Sequence, residues 1–125
     1  MNKNVPHSLK IWFVLHFILD FLFGLPLLFF PTSFLHLLRW PNVDVFSARL
    51  VGAALIAIGG ISFLKREEGI ESYHTLLSLK ILWASAALFG IFITIVQGFP
   101  MIGWFPFILF ALFLIIWIYY KLKLN

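Results

Sequence analysis

Residues 45–64 read VFSARLVGAALIAIGGISFL, and this stretch decides the class of fold. Twenty residues contain one charge, Arg49. A helix of that length rises about 30 Å, which matches the hydrocarbon thickness of a bilayer. The only polar residues besides Arg49 are two serines, and small residues, among them Gly52, Ala53, Ala57 and Gly60, interrupt the bulkier ones. The stretch therefore reads as a membrane-spanning helix, with Asp44 or Ser47 placed to cap its start.

Working outward, three more segments pass the same length test: about 9–29, 76–96 and 102–120. The first carries Gly24 and Pro26 late in its course, which should end or loosen the helix. Pro106 falls in the first turn of the last span, where a missing N–H costs little. Residues 31–42, with Arg39, Trp40 and Pro41, suit a short interfacial helix capped by Thr32 or Ser33. The lysines ahead of the first span resemble a signal peptide, but the apolar run is too long and lacks a small-residue cleavage site; it reads as a retained span. Gly24-Leu25-Pro26 and Gly98-Phe99-Pro100 echo one another as turns after a span, as a duplicated helical hairpin would produce. The expected fold is all-α: one membrane domain over 1–125, a four-helix bundle.

Composition agrees. Of 125 residues, 62% are hydrophobic and 11% charged, too few to coat a soluble domain of this size. The net charge of +4 forms no basic patch, so nucleic acid is not an expected partner. Lys3, Lys10, Lys65, Arg66, Lys121 and Lys123 collect on one side of four spans, against Arg39 and Arg49 on the other. The positive-inside rule then puts both termini in the cytoplasm of a multi-pass cell-membrane protein, with Tyr119 and Tyr120 as interfacial anchors.

Three charges lie inside the spans: Asp20, Arg49 and Lys80. Each costs about 2.5–3.5 kcal/mol on insertion scales and so calls for a partner or a task. His16 and Asp20 are four apart and share a helix face. Arg49, about one turn into its span, is expected to pair with Asp20. That pair is either a structural lock or a protonatable carboxylate tuned by Arg49 and served by His16; failing both, Arg49 snorkels and Asp20 is neutral. Lys80 is expected to snorkel toward lipid phosphates, with contact to His16 or Asp20 as the functional alternative. The Arg49 face, with Gly52, Ala53, Ile56 and Gly60, and the Lys80 face, with Ala84, Ala87 and Thr94, are the expected packing surfaces.

Cysteine is absent, which excludes disulfide exchange and cysteine nucleophiles. His7, His36 and His74 lack ligand spacing, and no phosphate loop, nucleophile elbow or zinc helix appears, so neither a metal nor an enzyme is expected.

Trp40-Pro41, the run Ala48 to Leu55, and Leu79-Lys80-Ile81-Leu82-Trp83 resemble a pattern in small bacterial four-helix membrane proteins. The four-span layout and the Arg-x-x-Gly start of the second span are similar to the DoxX-like group. That resemblance implies a bacterial inner-membrane four-helix fold and attention to Arg49 and Lys80. Part of that group works in quinone-linked thiol or sulfur oxidation complexes; without cysteine, this chain carries no thiol chemistry itself. The expected role is a non-enzymatic accessory subunit binding quinone or lipid, its site a buried cluster of His16, Asp20, Arg49 and Lys80. The alternative is a proton-coupled transporter acting as a homodimer. The small four-span exporters also place a carboxylate in their first span, but their surrounding pattern is absent here.

Overall fold

The computed structural model describes residues 4–98 and 101–125. Those residues form five α-helices and one 3-10 turn, with no strand among them. In chain order the helices are α1 (His7–Phe29), α2 (Pro31–Leu37), α3 (Val45–Leu64), α4 (Ile70–Val96) and α5 (Trp104–Leu124). The long helices α1, α3, α4 and α5 are each long and apolar enough to cross a membrane. The described residues divide into two compact units, Val5–Glu68 and, together with Asn4, Gly69–Asn125.

The first unit is an antiparallel pair of α1 and α3 with α2 at the turn. Gly24 lies against Gly52, Asp20 against Gly59, and the Phe17 ring stacks on Phe63 with centroids 4.4 Å apart. Position falls along α1 as it rises along α3. The buried residues of α3 are Ala48, Gly52, Leu55, Gly59 and Ser62, spaced four, three, four and three. That alternation is the 3.5-residue repeat of helices packed at a shallow crossing angle. Small residues dominate it, so the backbones approach closely, which is how helices gain packing energy where hydrocarbon offers no hydrophobic drive.

Several expectations change here. The packing face of α3 is Gly52, Leu55 and Gly59, rotated from the Arg49 face by roughly 80–90° at 3.6 residues per turn. Gly52 belongs to both faces. Ala53 is exposed, and a methyl on Gly60 would reach only the Phe21 ring, at 3.8 Å. Pro26 does not end α1. It withdraws one N–H from the ladder, and the helix runs on to Phe29. Gly24 is not a turn either: a Cβ there would lie 3.0 Å from Ile56 Cγ1 and 3.1 Å from the Gly52 carbonyl. The first half of the expected repeat is thus helix interior. Of its second half, Phe99 and Pro100 lie outside the described residues, while Gly98 follows α4 with φ of 98°, the left-handed stop that glycine makes cheaply.

The segment expected to be interfacial is a helix, but Pro31 opens it at its first turn in place of a Thr32 or Ser33 cap. It closes on a Schellman pattern, with Arg39 N–H donating to the His36 carbonyl and Trp40 N–H to the Leu35 carbonyl. Arg39 occupies the left-handed position at φ 59°, where glycine is usual. Asp44 is the N-cap of α3, and its carboxylate accepts the Ser47 hydroxyl, with the Ser47 and Phe46 backbone N–H groups as weaker donors. The hydroxyl hydrogen bond, more than any other contact, holds the Asp44 carboxyl below its ordinary range.

In the second unit α4 and α5 are antiparallel. Lys80 meets Trp117, Trp83 meets Phe110, and Phe92 meets Phe107. The buried residues are Tyr73, Leu76, Leu77, Lys80 and Ala84 on α4, and Phe113, Trp117, Tyr120 and Leu124 on α5. Ala84 is therefore a core residue of this unit, while Ala87 is half-buried. Helix α4 begins six residues before the apolar run, because Glu71 in its first turn favours the positive helix end and the polar turn Ser72–Thr75 stays helical. Lys121 and Lys123 complement the opposite pole in the last turn of α5.

The α1–α3 contact makes a sharp test. Gly59→Ala should cost about 1–3 kcal/mol, since the added methyl overpacks a tight interface. Its Cβ would lie 2.6 Å from Asp20 Cβ. Gly60→Ala should be close to neutral. Thermal melts of both variants in one detergent check this; equal melting temperatures would contradict the packing described.

Candidate functional site

The polar residues inside the spans separate into three arrangements. In the first unit, His16 Nε2 and Asp20 Oδ1 are 3.4 Å apart on successive turns of α1, and both residues are 6% exposed. The i, i+4 spacing places them on one face, and Gly59 makes room for the carboxylate. A Cβ on Gly59 would sit 3.0 Å from Asp20 Oδ2 and 3.3 Å from Cγ. Asp20 is thus a wedge seated in a backbone notch.

Arg49 is elsewhere. It is exposed, and its Nε donates to the Leu28 carbonyl at 3.1 Å. The expected Asp20–Arg49 ion pair does not form, for a reason of register. Asp20 faces Gly59, ten residues and about 15 Å along α3 from Arg49. Leu28 is one residue from the end of α1, where carbonyls lack intrahelical partners. Three residues on stands Pro31, whose ring carries no N–H to close a tight turn on that carbonyl. Arg49 satisfies that carbonyl from the neighbouring helix and brings a positive charge to the negative helix pole. Arg66 does the same for α3, with Nη1 donating to the Phe63 carbonyl at 2.7 Å and the guanidinium 3.8 Å from the Phe63 ring centroid. Lys65 and Glu68 pair at 2.7 Å in the exposed turn that follows.

The second arrangement is Lys80, 1% exposed, its Nζ 4.9 Å from the Trp117 ring centroid. It does not snorkel. Ten residues from the start of α4 it stands about 15 Å along the helix, and its ammonium lies over an indole face, the most favourable aromatic surface for a cation. Trp83, three residues on, sets its ring edge-on to Phe110 at 5.9 Å.

The third arrangement was hidden in the sequence. Lys121 Nζ contacts His74 Nδ1, donates to the His74 carbonyl at 3.0 Å and to Ser78 Oγ at 2.8 Å. An ammonium can only donate, so the imidazole presents Nδ1 as an acceptor. Of the expected tyrosine anchors, Tyr119 is exposed with Lys123 Nζ 5.7 Å from its ring, and Tyr120 is buried. His74 and Ser78 are four apart, the one signal that pointed here, but the polar turn around His74 reads as loop until α4 is seen to include it.

Of the four expected site residues, His16 and Asp20 stand together, Arg49 belongs to a helix cap, and Lys80 is held by Trp117. Sequence reasoning missed Gly59 and Trp117, the residues that accommodate the buried charges. Set beside known protein families, curated proteins and solved structures, the chain matches none.

Because Arg49 and Asp20 act at different places, their truncations should be independent. Asp20→Ala and Arg49→Ala should each destabilise, and the double variant should equal the sum within about 0.5 kcal/mol. His16→Ala with Asp20→Ala should show a coupling outside that margin. Both cycles are read from thermal or denaturant melts; a large Asp20–Arg49 coupling would restore the ion-pair model.

Proposed function

We propose that the protein is a small, non-enzymatic membrane subunit that binds a lipophile of the quinone or lipid class beside a partner chain. Four apolar helices supply a large hydrophobic surface and few polar groups, which suits an apolar ligand better than a hydrophilic solute. The observation that carries the reading is the way the ionisable groups are held. Asp20 is seated on Gly59 beside His16, and Lys80 is laid over Trp117. Buried polar groups fixed on rigid helices are suited to orient a ligand headgroup. The DoxX-like resemblance points the same way, toward quinone.

The proton-coupled homodimeric transporter needs a carboxylate that exchanges between two sides of the membrane. Contact with the Gly59 backbone restricts Asp20 against such a swing, so this reading ranks second. In the proposed orientation both termini face the cytoplasm, following the excess of lysine and arginine there. The native chain has no cysteine. Single cysteines at Glu67 and at Thr32 should therefore be labelled from opposite sides, with Glu67→Cys reached only after the membrane is opened. Labelling of Glu67→Cys in intact cells would invert the topology.

The deciding experiment is native mass spectrometry of the protein released gently from its own membrane. A co-purifying lipophile, retained by wild type and lost from Asp20→Asn or Lys80→Met, is the expected result. A bare dimer with nothing bound would overturn the reading in favour of transport.

A further inference from the structure

The Trp83 indole is a polar group for which α4 has no use of its own. Its Nε1 is buried and meets no hydrogen-bond acceptor among the described residues. The ring packs edge-on against Phe110. For that contact a phenyl ring would serve, without an N–H to strand. In hydrocarbon no water is at hand to take the proton donor, so an unsatisfied indole N–H is costly to keep. Lys80 lies three residues earlier, one turn away on the same side of α4, with its ammonium over Trp117. Both groups are donors and neither can accept. The chemistry that complements the indole N–H is an oxygen with lone pairs and partial negative charge, carried by an apolar body.

We propose that Trp83 Nε1 is a ligand-binding donor that takes the carbonyl oxygen of a lipophile, with Lys80 one turn away reinforcing the preference for an acceptor. This deepens the lipophile-binding reading above and rests on it. Two sources carry such an oxygen: the ring carbonyl of a quinone and the ester carbonyl of an acyl lipid. No bond is made or broken, and the residue is a binding residue only.

The test uses the full chain, with ¹⁵N-labelled indoles, in nanodiscs of ether-linked dialkyl phosphatidylcholine, which has no ester carbonyl. The Trp83 resonance is the one missing in Trp83→Phe. Adding decylubiquinone should move that resonance downfield, and Trp83→Phe should bind decylubiquinone about tenfold more weakly while melting no lower than wild type. A downfield move on exchanging ether for ester lipid, without quinone, would support the same site with lipid as its source. Decylbenzene, which shares the tail but has no carbonyl, should leave the resonance in place. The proposal is overturned if neither carbonyl source moves the resonance, if decylbenzene moves it equally, or if Trp83→Phe binds as wild type. Decylubiquinone binding detected at other resonances, with Trp83 unmoved, would sink this site and leave the lipophile-binding reading standing. If no lipophile binds at all, both fall.

Discussion

The contact between Asp20 and Gly59 is the constraint around which the first unit is built. A carboxyl group on the packing face of a helix long and apolar enough to cross a membrane needs space and a polar neighbour. His16 supplies the neighbour from one turn away. Gly59 supplies the space, and any larger residue there would drive the two backbones apart. Once Asp20 is seated, the register of α1 on α3 follows: Gly24 falls on Gly52 and Phe17 on Phe63. Glycine spacing and the buried acid are therefore one device, with close backbone approach providing the dispersion energy that holds the pair.

The cations are handled by different physics. Arg49 and Arg66 both donate to a carbonyl at a helix end, Arg49 to Leu28 from the neighbouring helix and Arg66 to Phe63, whose oxygen also accepts the Arg66 backbone N–H. The guanidinium suits this task because it offers several donors in a fixed plane. Lys80 is the contrasting case: its ammonium is buried, and an aromatic face takes the charge. Lys121 shows a third solution, joining the end of α5 to the start of α4 through one histidine and one serine. In each case the side chain answers a need made by the helices, and a functional role is to be sought in the groups left over, such as the Trp83 N–H.

Helix identity and limits were largely legible in the sequence. A span was read at about 45–64 and a helix occupies those residues, because a run of apolar residues bounded by Asp44 and Lys65 leaves little choice of where a helix can start and stop. The errors cluster where sequence punctuation was taken at face value. Gly24 and Pro26 looked like a helix end, yet glycine in a membrane helix can mark close packing, and one withdrawn N–H does not stop a helix held by a neighbour.

What the sequence determined by itself was the class: four long apolar helices, their approximate ends, and which ionisable residues would be costly within them. Those are consequences of composition and of length along one chain, both local quantities. Only tertiary structure decided which face of α3 packs, that Asp20 meets Gly59 and not Arg49, and that Lys80 rests on Trp117. The physical reason is angular. A rotation of one residue about a helix axis turns the face by about 100°, and nothing in a nearly uniform apolar run selects among such rotations until a second helix is laid against it.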